Sequence, residues 1–206
     1  MVKQSTKENK MVKQFLTAFV FTLAYAVIRY AGFGHVSLDH LPAYIMNKAI
    51  CMTGVEAMFM AALCLMREEK DAARFWTNAC AQLVFVHIIL SLGILSKGYY
   101  VNFFDGDKMS LTGELVLLMG ALAVYCFWRL RTAKTTPDLR RTFTALAYAL
   151  VAGHLFAMGL KDTLNVQKWN GGLPPMSGLS FLLALSGLIL FLWAKEKSMH
   201  FSSEEG

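Results

Sequence analysis

Apolar runs long enough to cross a bilayer recur six times along this chain, and that recurrence constrains the fold more than any motif in it. The runs extend approximately from Phe15 to Phe33, Ile45 to Met66, Phe75 to Leu95, Leu111 to Leu130, Thr142 to Leu160 and Ser177 to Ala194. A hydrocarbon core about 30 Å thick takes roughly 20 residues at a helical rise of about 1.5 Å. None of the runs shows the polar alternation of a barrel strand, which needs only about 10 residues. Helices satisfy their own backbone hydrogen bonds in lipid, so the expected fold is all-α: an integral membrane six-helix bundle forming one domain over residues 1–206. Composition agrees, because 56% hydrophobic against 17% charged residues leaves too little polar surface for a soluble domain. The lipid bilayer is therefore the first partner.

Charge placement predicts the orientation. Fourteen of the twenty Lys and Arg fall on one side. They are Lys3, Lys7, Lys10 and Lys13 before the first run, Arg67, Lys70 and Arg74 between the second and third, Arg129, Arg131, Lys134, Arg140 and Arg141 between the fourth and fifth, and Lys195 and Lys197 after the sixth. Arg29, Lys48, Lys97, Lys108, Lys161 and Lys168 fall on the other. The positive-inside rule reads this as both termini cytoplasmic. The net charge of +6 is thus topogenic, and its dispersal over short loops without interleaved exposed aromatics predicts no nucleic-acid partner. The first run is longer than a signal-peptide core, meets Arg29 and lacks a small-x-small cleavage site, so it reads as a retained helix.

Several chemistries are not indicated. There is no Walker-type phosphate loop and no GxGxxG after a strand, so reducing equivalents are expected from elsewhere. Cys51, Cys64, Cys80 and Cys126 all fall inside helices without a CxxC pair, which reads as inert packing. Ser177, Ser180 and Ser186 lie in no GxSxG context. No repeat stands out, and the residues after Lys197 read as a short polar fray.

The histidines carry the functional signal. His35 and His40 fall in the loop after the first run and His200 in the tail, leaving His87 and His154 within the membrane. Each stands 13 residues beyond the cytoplasmic arginine that opens its segment, Arg74 and Arg141 respectively. At helical rise that is roughly 20 Å, which puts both at one depth in the outer half of the bilayer. Intramembrane ionisable residues face the bundle interior with a partner. Two neutral imidazoles at equal height suit the two axial positions of one haem iron. The alternative is a haem-free six-helix transporter or scaffold in which the histidines only tie helices together.

Longer stretches carry a family resemblance: LPAYIMNKAI at 41–50, VHIILSLGILSKGYYVNFF at 86–104, LTGELVLLMGALA at 111–123 and HLFAMGLKDTLNVQKWNGGLPPMSGLSFLLAL at 154–185. Together they resemble the bacterial ferric reductase-like transmembrane proteins, over most of the chain from the first helix to the sixth. The resemblance implies a six-helix bundle carrying haem b between the third and fifth helices, with His87 and His154 at the axial positions. Members with two haems place a second histidine nearer the cytoplasm on each helix, where this sequence has Arg74 and Arg141. A single haem b on the outer side is therefore expected. The resemblance also implies an oxidoreductase subunit of a bacterial inner membrane, here without its own flavin or NAD(P) domain. It would take electrons from a quinol or a separate reductase and pass them to ferric iron or a periplasmic redox partner.

Other polar residues have expected places. Arg29 and Lys48 lie near the outer ends of the first two helices, where haem propionates would emerge, and both suit carboxylate pairing. Snorkelling to the headgroups is the plainer account of each. Glu56 and Glu114 read as carboxylates paired with a basic residue, with proton relay to a quinone site as the alternative, and Tyr99, Tyr100, Phe103, Phe104 and Trp169 as an interfacial aromatic belt. The GGLPP run at 171–175 is expected to break the chain and open the last helix.

Overall fold

The computed structural model describes residues 2–132 and 136–204, with side chains within 8–132 and 136–194. Lys134, counted among the cytoplasmic basic residues, lies outside the described residues, as do the side chains of Lys3, Lys7, Lys195, Lys197 and His200.

Six long helices make up most of the described chain: α1 (Val2–Ala26), α2 (Met46–Met66), α3 (Lys70–Gly93), α4 (Leu111–Thr132), α5 (Pro137–Leu164) and α6 (Met176–Glu204). Six segments are long and apolar enough to cross a membrane: Glu8–Gly32, Leu38–Met66, Lys70–Gly93, Leu111–Thr132, Pro137–Leu164 and Asn170–Ala194. The protein is thus an all-α, multi-pass membrane bundle. Two short strands, β1 (Phe104–Asp105) and β2 (Lys108–Met109), form a minimal antiparallel hairpin between α3 and α4, with Phe104 opposite Met109.

Helix boundaries depart from the sequence expectation in three places. The basic leader is helical from Val2, and the tail read as a polar fray continues α6 to Glu204. Helical backbone leading into α2 begins at Leu38, through a tight turn and the wider π-type turns of Leu41–Ile45. Pro42 stands in the first turn of that stretch, where its missing N–H costs nothing. Lys48 therefore lies ten residues into its span, deeper than expected.

Central placement of α2 follows from its small residues. Ala49, Ala57, Ala61 and Ala62 are at most 5% exposed and let neighbouring helices approach closely. α2 packs against α1, α3 and α6, while α5 packs against α4 and α6. Near the ends of α5 and α6 that meet at their connecting loop, a Cβ on Gly159 would overlap Ser177, and one on Gly178 would lie 2.5 Å from Thr163 Oγ1. Only glycine allows that crossing. Tyr148 Oη donates to the Met58 carbonyl at 2.6 Å and locks α5 onto α2. α5 opens with Thr136 as N-cap and Pro137 in the first turn. Before α6, Gly171 and Gly172 take positive φ of 61° and 73°. The space of a Gly171 side chain is filled by the Phe33 ring, which joins this loop to the end of the first span. α3 and α4 share no such close interface, and that gap positions the site.

Candidate functional site

A cavity of about 540 Å³ lies between α2, α3, α4 and α5, within the range of small-molecule and cofactor sites. Its walls are almost wholly apolar, and His87 from α3 and His154 from α5 both line it. Depth alone could not fix how each helix is rotated. The structure turns both imidazoles to the same cavity. Tyr100 and Phe103, stacked with centroids 5.0 Å apart, cap it at the end of the bundle opposite the termini. That cap seats on α4 because Gly113 has no Cβ, which would otherwise meet the Phe103 carbonyl at 2.6 Å.

Each histidine is held through the same ring nitrogen. His154 Nδ1 lies 2.8 Å from the Val116 carbonyl oxygen of α4. A carbonyl only accepts, so Nδ1 donates and, in the neutral ring, Nε2 keeps its lone pair. His87 Nδ1 lies 2.7 Å from Asn47 Oδ1. The Asn47 amide nitrogen is engaged separately, donating to Ser91 Oγ at 2.9 Å and to Tyr100 Oη at 3.2 Å, an arrangement in which its oxygen faces the imidazole. Ser91 Oγ is 3.4 Å from Nδ1 and 3.5 Å from Nε2 of His87, at the margin of hydrogen-bonding reach. Both imidazoles therefore present the Nε2-ligating tautomer, with Nδ1–H given to an acceptor as in metal-bound histidines.

The donor set also narrows the group. Among the described residues no three His, Cys, Asp or Glu side chains gather as a metal cage. Two imidazoles across an apolar slot fit a metal that brings its remaining donors with it, as a haem does. Gly54 and Gly120 line the walls and thin them, and a Cβ on Gly120 would stand 3.2 Å from His154 Nδ1.

The remaining expected site residues divide. Lys48 lies outside the cavity lining, but its Nζ is 5.2 Å from the Tyr44 ring centroid and 5.6 Å from that of the cap residue Tyr100. Among the described residues no carboxylate pairs with it; the ion pairs are Lys97–Asp107 and Lys168–Asp162. Arg29 is away from the cavity. It is 4% exposed, donates from Nη1 to the Leu173 carbonyl at 2.6 Å, and lies over Tyr30. Its guanidinium ties the first span to the loop before α6. Arg29→Met should therefore lower thermal stability by about 1–3 kcal/mol, for an unpaired Leu173 carbonyl, while leaving any cofactor spectrum unchanged. A melt followed beside absorbance checks both halves. Glu56 accepts from Thr22 Oγ1 at 3.0 Å and joins α2 to α1; it does not line the cavity.

No protein-family model matches the chain, and no curated protein matches it. The site therefore rests on its own geometry.

Asn47, 2% exposed, is the residue that sequence reasoning missed. An amide inside an apolar helix was the available signal. Asn47→Leu removes the acceptor for His87 Nδ1–H, and loss of such a partner typically weakens metal-ligand binding about 10–100-fold. Were haem the ligand, a titration with it should show that loss.

Proposed function

We propose that this chain is a membrane haem b electron-transfer protein with one haem held between His87 and His154. The observation that carries this reading is the pair of imidazoles on one apolar cavity, each with Nδ1 occupied by a protein acceptor and Nε2 left for a ligand. A helix-tying role uses only Nδ1 and leaves the cavity without an account.

A haem in this site supplies a one-electron couple. Everything else is done by the chain. Asn47 Oδ1 and the Val116 carbonyl accept hydrogen bonds from Nδ1 and would make both rings better donors to a metal held there. Apolar walls exclude water and, with the axial ligands, set the potential. Lys48, deep in its span and without a carboxylate partner among the described residues, is suited to bind a carboxylate at the capped end.

The excess of basic residues on the side of the termini supports cytoplasmic N- and C-termini. The capped end then faces outward, and the haem lies in the outer half of the bilayer. Electrons would arrive from a membrane quinol or a separate reductase, and leave one at a time to ferric iron or a periplasmic redox partner. The chain is on this reading an oxidoreductase subunit of a bacterial inner membrane.

The test is a difference spectrum, dithionite-reduced minus air-oxidised, on detergent-purified protein expressed with ample haem. A sharp b-type α-band is expected at one haem per chain. Well-folded protein without it overturns the reading and leaves the haem-free scaffold or transporter to be tested.

A further inference from the structure

The cavity is shut on the sides that face protein and water, and open on the side that faces lipid. Toward α2 and α5 its wall is buried, with Met58 at 4% and Leu155 at 2% exposed. Toward the termini Cys80 and Ala123 close it, at 2% and 4%. At the opposite end the Tyr100–Phe103 stack lies across it, with Phe103 6% exposed. Two lining residues are different: Leu92 on α3 is 61% exposed and Ala121 on α4 is exposed as well. They stand on the two helices that do not pack closely together.

The opening is at membrane depth. Ala121 lies ten residues into α4, about 15 Å from its first residue at helical rise. Leu92 lies just inside the last turn of α3, within its membrane span. Hydrocarbon is therefore what meets the opening.

We propose that the gap between α3 and α4 is a lateral port through which haem enters from the bilayer. The port rests on the haem reading and adds the route. A flat, mostly apolar macrocycle passes edge-on through the gap, whose exposed lining residues are Leu92 near the outer end of α3 and, about 15 Å down α4, Ala121 beside Gly120. Its two carboxylates do not need to enter the hydrocarbon-facing wall. Lys48, beside the capped end, offers them an ammonium near the water-facing end of the slot. The aqueous route through Tyr100 and Phe103 would require that stacked cap to come apart.

Two measurements on the full-length apoprotein in lipid nanodiscs test the port. In the first, an apolar diazirine dissolved in the bilayer is photolysed and its insertion mapped by mass spectrometry. Met58 and Leu155, buried from every other side, should be labelled in the parent and spared in Ala121→Trp. Leu92→Trp, which narrows the gap from the other lip, should behave alike and guards against one variant failing to fold. In the second, haem uptake from haem-loaded vesicles is followed by absorbance. Either tryptophan should slow uptake on the order of ten- to a hundredfold, within the range over which association rates vary among variants of one site. Phe103→Ala, which loosens the cap, should give no acceleration. Parental uptake rates in both tryptophan variants, or a faster rate in Phe103→Ala, overturn the port. If the parent binds no haem, the haem reading fails, and the labelling still decides the port: unlabelled Leu155 in the parent overturns it.

Discussion

His154→Ala should abolish the six-coordinate, low-spin haem spectrum while leaving the bundle folded. The hydrogen bond that holds this ring is the reason. Its Nδ1 donates to a backbone carbonyl of α4, so removing the imidazole strands no buried side chain. On the proposed haem reading, the nitrogen left for the iron is lost with it, and the spectrum would turn high-spin. Loss of an outer partner alone costs about 10–100-fold in affinity, so loss of the ligand should cost at least that much. His87→Ala should lose the same spectrum and also lose stability. Asn47 Oδ1, in a side chain 2% exposed, is then left without the His87 donor, at about 1–3 kcal/mol. Spectra and melting curves taken together separate the two variants. Free imidazole added to His154→Ala should restore the low-spin spectrum, because the variant leaves a ring-sized space on the cavity wall. Low-spin haem retained in both alanine variants would rule out these residues as axial ligands.

The pairing of these histidines was legible in the sequence because a helix converts count into depth. Thirteen residues from Arg74 and thirteen from Arg141 mean the same height on two helices running the same way. Rotation about each axis is not written in such a count. It is set by packing, and here the alanines of α2 and the glycine-mediated contact of α5 with α6 set it. Asn47 escaped notice for a related reason. It belongs to the network only because α3 crosses α2 at a height that brings Ser91 and Tyr100 to the same amide. Arg29 and Lys48 looked equivalent as basic residues near outer helix ends. The extra turns before α2 sink Lys48 toward the cavity cap, while the loop before α6 folds back to present the Leu173 carbonyl to Arg29. Such loop-to-helix contacts span more than a hundred residues and leave no local periodicity to read. The lateral gap was equally invisible, since the apolar residues facing lipid and those facing a cavity are the same kinds of residue.

Gly120→Leu provides a test in which haem binding should fall much further than stability. A Cβ at this position stands 3.2 Å from His154 Nδ1 and 3.4 Å from Cε1, tight enough that the ring must give by a few tenths of an ångström. Alanine is the limit of what that shift absorbs. A leucine adds branched carbons that have two places to go, the cavity or the imidazole, and either one takes volume from the haem. The ring displaced from Val116 also loses the bond that keeps Nε2 aimed inward. Haem content should therefore fall by on the order of tenfold or more, comparable to loss of an outer partner. The apoprotein's stability should change by less, because relief of glycine's poor helix propensity, roughly 0.8–1 kcal/mol relative to alanine, offsets part of the lost His154–Val116 bond. Gly54→Ala is the control on the facing helix: its Cβ would meet only Leu83, at an ordinary 3.5 Å, and haem binding should be kept. A Gly120→Leu protein that binds haem as the parent does would mean that the cavity beside His154 is not where the cofactor lies.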